Sequence, residues 1–156
     1  MATELWSRRL PYIATKIAYL EAGPLLDYWV GMAAGYDPVY QADSTEGPRV
    51  CISKCHNDQG ELVPMAPRAF RPSTSWGDGG PFIEREHIDL ISDFGRWMAR
   101  HGQRDDYSRA DVSPLVTAMR AYLMREYGDE VPRLAEQSSQ NDVQNNEEGW
   151  IAPQCC

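Results

Sequence analysis

Apolar positions recur at helical spacing behind two prolines. After Gly23-Pro24, residues Leu25, Leu26, Trp29, Val30 and Ala33 fall on one stripe, and Gly35 ends the run. After Ser113-Pro114, residues Leu115, Met119, Tyr122 and Leu123 form a second stripe, closed by Gly128 and Pro132. In both, proline stands at the first helical position, where its missing N–H is harmless, behind a residue suited to capping. Gly80-Pro81 repeats that opening, so the pattern predicts a third, short helix over 81–86 or 81–87. Between the helices, residues 17–20, 49–53, 62–63 and 96–100 are rich in strand-compatible side chains. Asn57-Asp58-Gln59-Gly60 separates two of these segments with hairpin-turn chemistry. Helices and strands without regular alternation predict an α+β fold, a small antiparallel sheet packed with two main amphipathic helices and one short one.

The 156 residues fit one folded domain. We place it at 17–134, between an N-terminal arm over 1–16 and a polar tail over 135–156 that is too poor in apolar residues to offset the entropy of ordering it. Apolar (42%) and charged (24%) fractions are those of an ordinary globular protein. No apolar run is long enough for a membrane span and no leader pattern opens the chain, so a cytoplasmic protein with no membrane partner is expected. The net charge of -8 excludes broad binding to a DNA or RNA backbone, although Arg68, Arg71, Arg85, Arg96 and Arg100 leave room for a local basic site. Cys51, Cys55 and His56 resemble half of a zinc site, but a second tight half-site is missing, and Cys51 reads more simply as a buried strand residue. No metal or cofactor is expected.

The richest segment for chemistry runs from Phe70 to Glu86. It holds Ser73, Thr74 and Ser75 beside Trp76, then Gly79-Gly80-Pro81 and a charged cluster. Glycines let the backbone approach a ligand, a helix starting at Pro81 would aim its free amides back at an anion, and Trp76 would supply a stacking face. Ser73, Thr74, Trp76, Gly79, Gly80 and Arg85 are therefore the expected ligand-binding residues, with Arg71 nearby and Arg120 reaching in from the last helix. In the bland alternative, Ser73, Thr74 and Asp78 cap turns while Trp76 fills the core. Catalysis has less support: Glu84, Glu86 and His87 offer acid–base groups, but no nucleophile elbow, phosphate-binding loop or dinucleotide fingerprint is present, and no catalytic residue is assigned. A single exposed ligand loop would be better enclosed by a homo-oligomer, most simply a dimer, with Trp6, Tyr12, Trp29 and Trp150 as candidate interface residues.

Several of these segments together resemble a known family. Gly23-Pro24-Leu25-Leu26-Asp27-Tyr28-Trp29-Val30, then Pro72-Ser73-Thr74-Ser75-Trp76 with Gly79-Gly80-Pro81-Phe82-Ile83-Glu84-Arg85-Glu86, is similar to the NinX-like family of bacteriophage proteins. The likeness continues through Pro114-Leu115 and Ala118-Met119-Arg120 to Gly128-Asp129-Glu130-Val131, covering 17–131. That family commonly has Asp where Ser75 stands here. It is a family of unknown function, so the resemblance implies a phage origin and the cytoplasm of an infected host. Small phage accessory proteins often counter host defence, an argument by association. With a loop suited to phosphate and base, the resemblance implies a protein that sequesters a nucleotide immune signal; the alternative is an acidic protein that inhibits a host defence protein by binding it directly.

Overall fold

Lys16 forms an isolated antiparallel bridge with Glu130, and Ile17 N–H donates to the Asp129 carbonyl, so the two ends of the folded body are tied together. The computed structural model describes residues 16–42, 44–102 and 106–132. Most of the N-terminal arm, the polar tail, Trp6, Tyr12, Trp150 and the Cys155-Cys156 pair lie outside the described residues.

Residues Ile17–Tyr19, expected as strand, form one 3-10 turn closed by Leu20 N–H on the Ile17 carbonyl. Helix α1 follows over Pro24–Ala34, and Gly35 ends it at a left-handed φ of 76°, which a residue without Cβ adopts freely. Strands β1 (Val39–Gln41), β2 (Arg49–His56) and β3 (Leu62–Ala69) make an antiparallel sheet in that order. Because β3 is an edge strand, it accommodates Pro64 and Pro67, whose missing donors obscured all but its first two residues in the sequence pattern. Helix α2 spans Trp76–Arg85, and β4 (Ile88–Asp93) pairs with β5 (Arg96–His101) in a second, two-stranded sheet. Helix α3, Pro114–Tyr127, is capped by Ser113, whose hydroxyl accepts from Val116 N–H.

The α+β expectation therefore holds, with two small sheets in place of one. The start of α2 needs correction. Pro81 does not open that helix but lies inside it, five residues past Trp76. The carbonyl that loses its partner there belongs to Gly77, which is exposed, so the usual cost of an internal proline is reduced by solvent.

The core forms around α3, which buries every residue from Leu115 to Leu123 and packs against α1, α2, β4 and β5. Trp29, expected as a candidate interface residue, is a core residue at 2% exposure and meets Tyr127 edge-on at 5.9 Å. Tyr36, Phe70, Phe82 and Tyr122 link the layers through ring contacts of 5.3 to 6.0 Å. Gly79 sets how closely α2 approaches this core. A Cβ there would lie 2.4 Å from the Pro72 carbonyl oxygen and 2.8 Å from Leu115 Cδ2. Gly79→Ala should thus cost about 1–3 kcal/mol by overpacking, read as a lowered urea midpoint. An unchanged midpoint would show that α2 is free to shift.

Candidate functional site

The segment before α2 is held from below by one buried carboxylate. Asp27, in the first turn of α1 and 2% exposed, accepts the Ser73 N–H at 2.8 Å through Oδ1. Ser73 in turn accepts the Gly23 N–H on its hydroxyl at 2.9 Å. Burial pushes the Asp27 carboxyl up to about 6, while hydrogen bonds from Ser73 pull the other way. Ser73 is thus turned inward at 1% exposure, its hydroxyl directed at the start of α1. Gly79 is likewise buried as a packing position.

The remaining predicted residues separate into different neighbourhoods. Thr74 is exposed, and Trp76 is 57% exposed at the start of α2, with its indole edge over Gly80. Arg71 is exposed, and its backbone N–H donates to Asp78 Oδ2. Asp78 sits in the first turn of α2 and also takes Arg68 Nη1 at 2.8 Å. The positive end of this helix therefore carries its own carboxylate, which opposes an anion there. Arg85 is nine residues beyond Trp76 on the same helix. At about 100° per residue, it projects from the opposite flank. Arg120 is 4% exposed; it donates to the Leu20 carbonyl at 2.8 Å and reaches Asp111 at 3.4 Å, pinning the 3-10 turn beside α3. The structure does not bring Trp76, Arg85 and Arg120 together.

What it does build is a polar cluster around Arg85. Arg85 Nη1 donates to the Tyr36 hydroxyl at 3.1 Å, and that hydroxyl lies 2.7 Å from His56 Nδ1. Arginine has no acceptor, so Arg85 is the donor to Tyr36, and the direction of the Tyr36–His56 bond is set by the His56 tautomer. With Tyr36 as donor, His56 carries its hydrogen on Nε2. Burial, followed by the charge of Arg85, lowers the His56 pKa, which keeps the ring neutral near pH 7. On the other side, Arg85 Nε donates to Glu86 Oε1 at 3.0 Å, and the guanidinium stacks over Phe82 at 4.7 Å. Glu86 Oε2 lies 3.5 Å from His101 Nε2, which accepts from Arg125 Nη1 at 2.8 Å. Burial, followed by Arg125, lowers the His101 pKa as well. Arg85 Nη2 is buried and makes no hydrogen bond among the described residues.

The arrangement sets the guanidinium groups of Arg85 and Arg125 and the rings of Tyr36, His56 and His101 around one carboxylate, Glu86. Tyr36, His56, His101 and Arg125 had no local signal in the sequence, because their partners lie 20 to 49 residues away or on another element. Among the described residues, no group of three or more His, Cys, Asp or Glu side chains could hold a metal ion.

Two further concavities open on either side of Tyr19. One, about 620 Å³, is lined by Lys16, Met124, Tyr127 and Glu130; the other, about 440 Å³, by residues 19–25 with Tyr40 and Pro48. None of the eight predicted ligand residues lines either one.

Together these features define a small α+β domain with a donor-rich cluster between a helix and a sheet. The family model described as Bacteriophage P22, NinX matches residues 17–126, and the chain belongs to that family. No curated protein matches it. Among the described residues, no helix is long and apolar enough to cross a membrane.

The Asp27 carboxyl yields a test with a definite sign. Between its ordinary value of 3.8 and its folded value of about 6, the folded state holds a proton that the unfolded chain releases. Its contribution to stability is therefore full below 3.8 and is lost as pH rises through 6. Asp27→Asn keeps an acceptor for Ser73 N–H but removes this slope. Relative to wild type, its thermal midpoint should rise between about pH 4 and about pH 7. Parallel profiles for the two proteins would show that Asp27 is not desolvated in the folded state.

Proposed function

We propose that this phage protein binds a small phosphate-bearing ligand and holds it without turnover, using the cluster around Arg85. The observation that carries the reading is the buried Arg85 guanidinium at the head of a hydrogen-bonded chain. Arg85 donates to Tyr36, whose hydroxyl is bonded to His56 Nδ1; when Tyr36 is the donor in that bond, the outer nitrogen of His56 is a donor as well. Beside it, Arg85 Nη2 is buried with no acceptor among the described residues, a condition that costs stability until an oxygen meets it. A phosphate supplies several such oxygens, and arginine matches its geometry. In an infected cell, a nucleotide signal of a host anti-phage defence fits this chemistry, and sequestration by a counter-defence sponge needs affinity without a catalytic constellation. Trp76 stands on the other flank of α2, so base stacking on it is not required for this site.

A second reading is favoured by a different observation. The β4–β5 hairpin exposes Phe94 fully and Ile91 by 38%, which suits protein contact more than nucleotide capture. Here the protein would inhibit a host defence protein by direct binding.

Incubation with a panel of cyclic and ADP-ribose-derived nucleotides, followed by heat release and mass analysis, separates these readings. An intact nucleotide is expected. Converted product would make the protein an enzyme, and retention of none would favour the protein-binding reading. Arg85→Ala should weaken retention by about 1.5–3 kcal/mol, the range for hydrogen bonds to a charged group, and the loss should shrink at high salt. Trp76→Ala should leave the thermal midpoint nearly unchanged, because its indole is largely exposed.

A further inference from the structure

The β4–β5 sheet has two unlike faces. Register sets Ile88 opposite His101 and Leu90 opposite Ala99 on one face. That face is covered, with Ala99 at 0% and His101 at 2% exposure beneath α3. Ser92 opposite Trp97 continues that face toward the tip, and alternation puts the other three pairs on the outer face: Asp89 opposite Arg100, Ile91 opposite Met98, and Asp93 opposite Arg96. The outer face is therefore an apolar pair framed by two charge pairs, with both carboxylates on β4 and both guanidinium groups on β5.

At the hairpin tip, Phe94 is 100% exposed and holds a φ of 47°, followed by Gly95 at 76°. Asparagine or glycine would take the first of these positions at lower cost than an aromatic residue. The chain thus keeps a large apolar ring at a strained, exposed position beside the exposed Ile91 and the half-buried Met98.

We propose that this outer face joins two copies of the chain about a two-fold axis that lies in the interface and runs along the strands. Such an axis lays β4 of one copy over β5 of the other. The acidic row of each copy then meets the basic row of the other, Ile91 meets the second copy's Met98, and the two Phe94 rings come together at the tips. A two-fold axis across the strands would instead stack acidic row on acidic row, so the charge pattern selects the first geometry. A foreign partner of one charge sign would match one row and repel the other. A second copy matches both.

Light scattering on full-length protein in reductant tests this directly. Wild type should show twice the 17.7 kDa chain mass at micromolar to millimolar concentration. Asp93→Arg and Arg96→Asp should each weaken self-association by roughly tenfold or more, because like charges then face each other across the interface. An equimolar mixture of the two variants should recover the dimer. In that mixture the charges match between chains while remaining mismatched within each hairpin, which separates an interface from a merely intact hairpin. Phe94→Asn serves where a charge variant unfolds: it relieves the turn and removes the ring, so it should raise the thermal midpoint and shift the mass toward monomer. A wild type that remains at 17.7 kDa, a dimer that none of these substitutions weakens, or a mixture of folded variants that stays monomeric would overturn the proposal.

Discussion

The Tyr36 side chain joins the core of this protein to its candidate site. Tyr36 is 4% exposed, and its ring meets Phe70 edge-on and Phe82 at a tilt, at the point where the loop after α1 meets β2 and α2. Its backbone is fixed at both ends, by N–H on the Gly31 carbonyl and by its carbonyl on Ser53 N–H. One polar atom remains at the edge of this apolar setting, and burying a hydroxyl without a partner is costly. Arg85 and His56 meet that requirement, so the packing that forms the core also orients the cluster. Arginine being a donor only fixes the first bond of the chain, and the His56 tautomer fixes the second.

A second constraint acts on the segment before α2. Asp27 would be better solvated almost anywhere on the surface, and its raised pKa is the mark of that cost. It remains buried because Ser73 N–H needs an acceptor where the chain turns against α1. With Ser73 facing inward and Gly79 packed on Leu115, this turn becomes a structural joint. The same joint places α2 so that Arg85 reaches Tyr36 and Phe82.

Much of the fold was legible because its signals are local. Gly23-Pro24, Gly35, Ser113-Pro114 and Gly128 mark helix ends through backbone preferences that need no tertiary information. Pro81 misled for the same reason: proline favours a first helical turn, but only packing of Gly79 and Phe82 decides that the helix begins earlier, at Trp76. Strand β4 escaped notice because its turn, Phe94-Gly95, lacks the usual asparagine. Of the predicted ligand residues, Arg85 lies in the cluster, whereas Arg120 answers a backbone carbonyl 100 residues away, a pairing no spacing rule reveals.

In the proposed function, the Tyr36 network presents His56 and Arg85 as donors to an anion. The most direct measurement is the nitrogen chemical shifts of His56 by long-range proton–nitrogen correlation at neutral pH. A neutral ring with hydrogen on Nε2 and a bare Nδ1 that accepts from Tyr36 is expected, a preference that Tyr36→Phe should erase. A His56 ring with hydrogen on Nδ1 would reverse the direction of the chain, turn its outer nitrogen into an acceptor, and contradict the anion site.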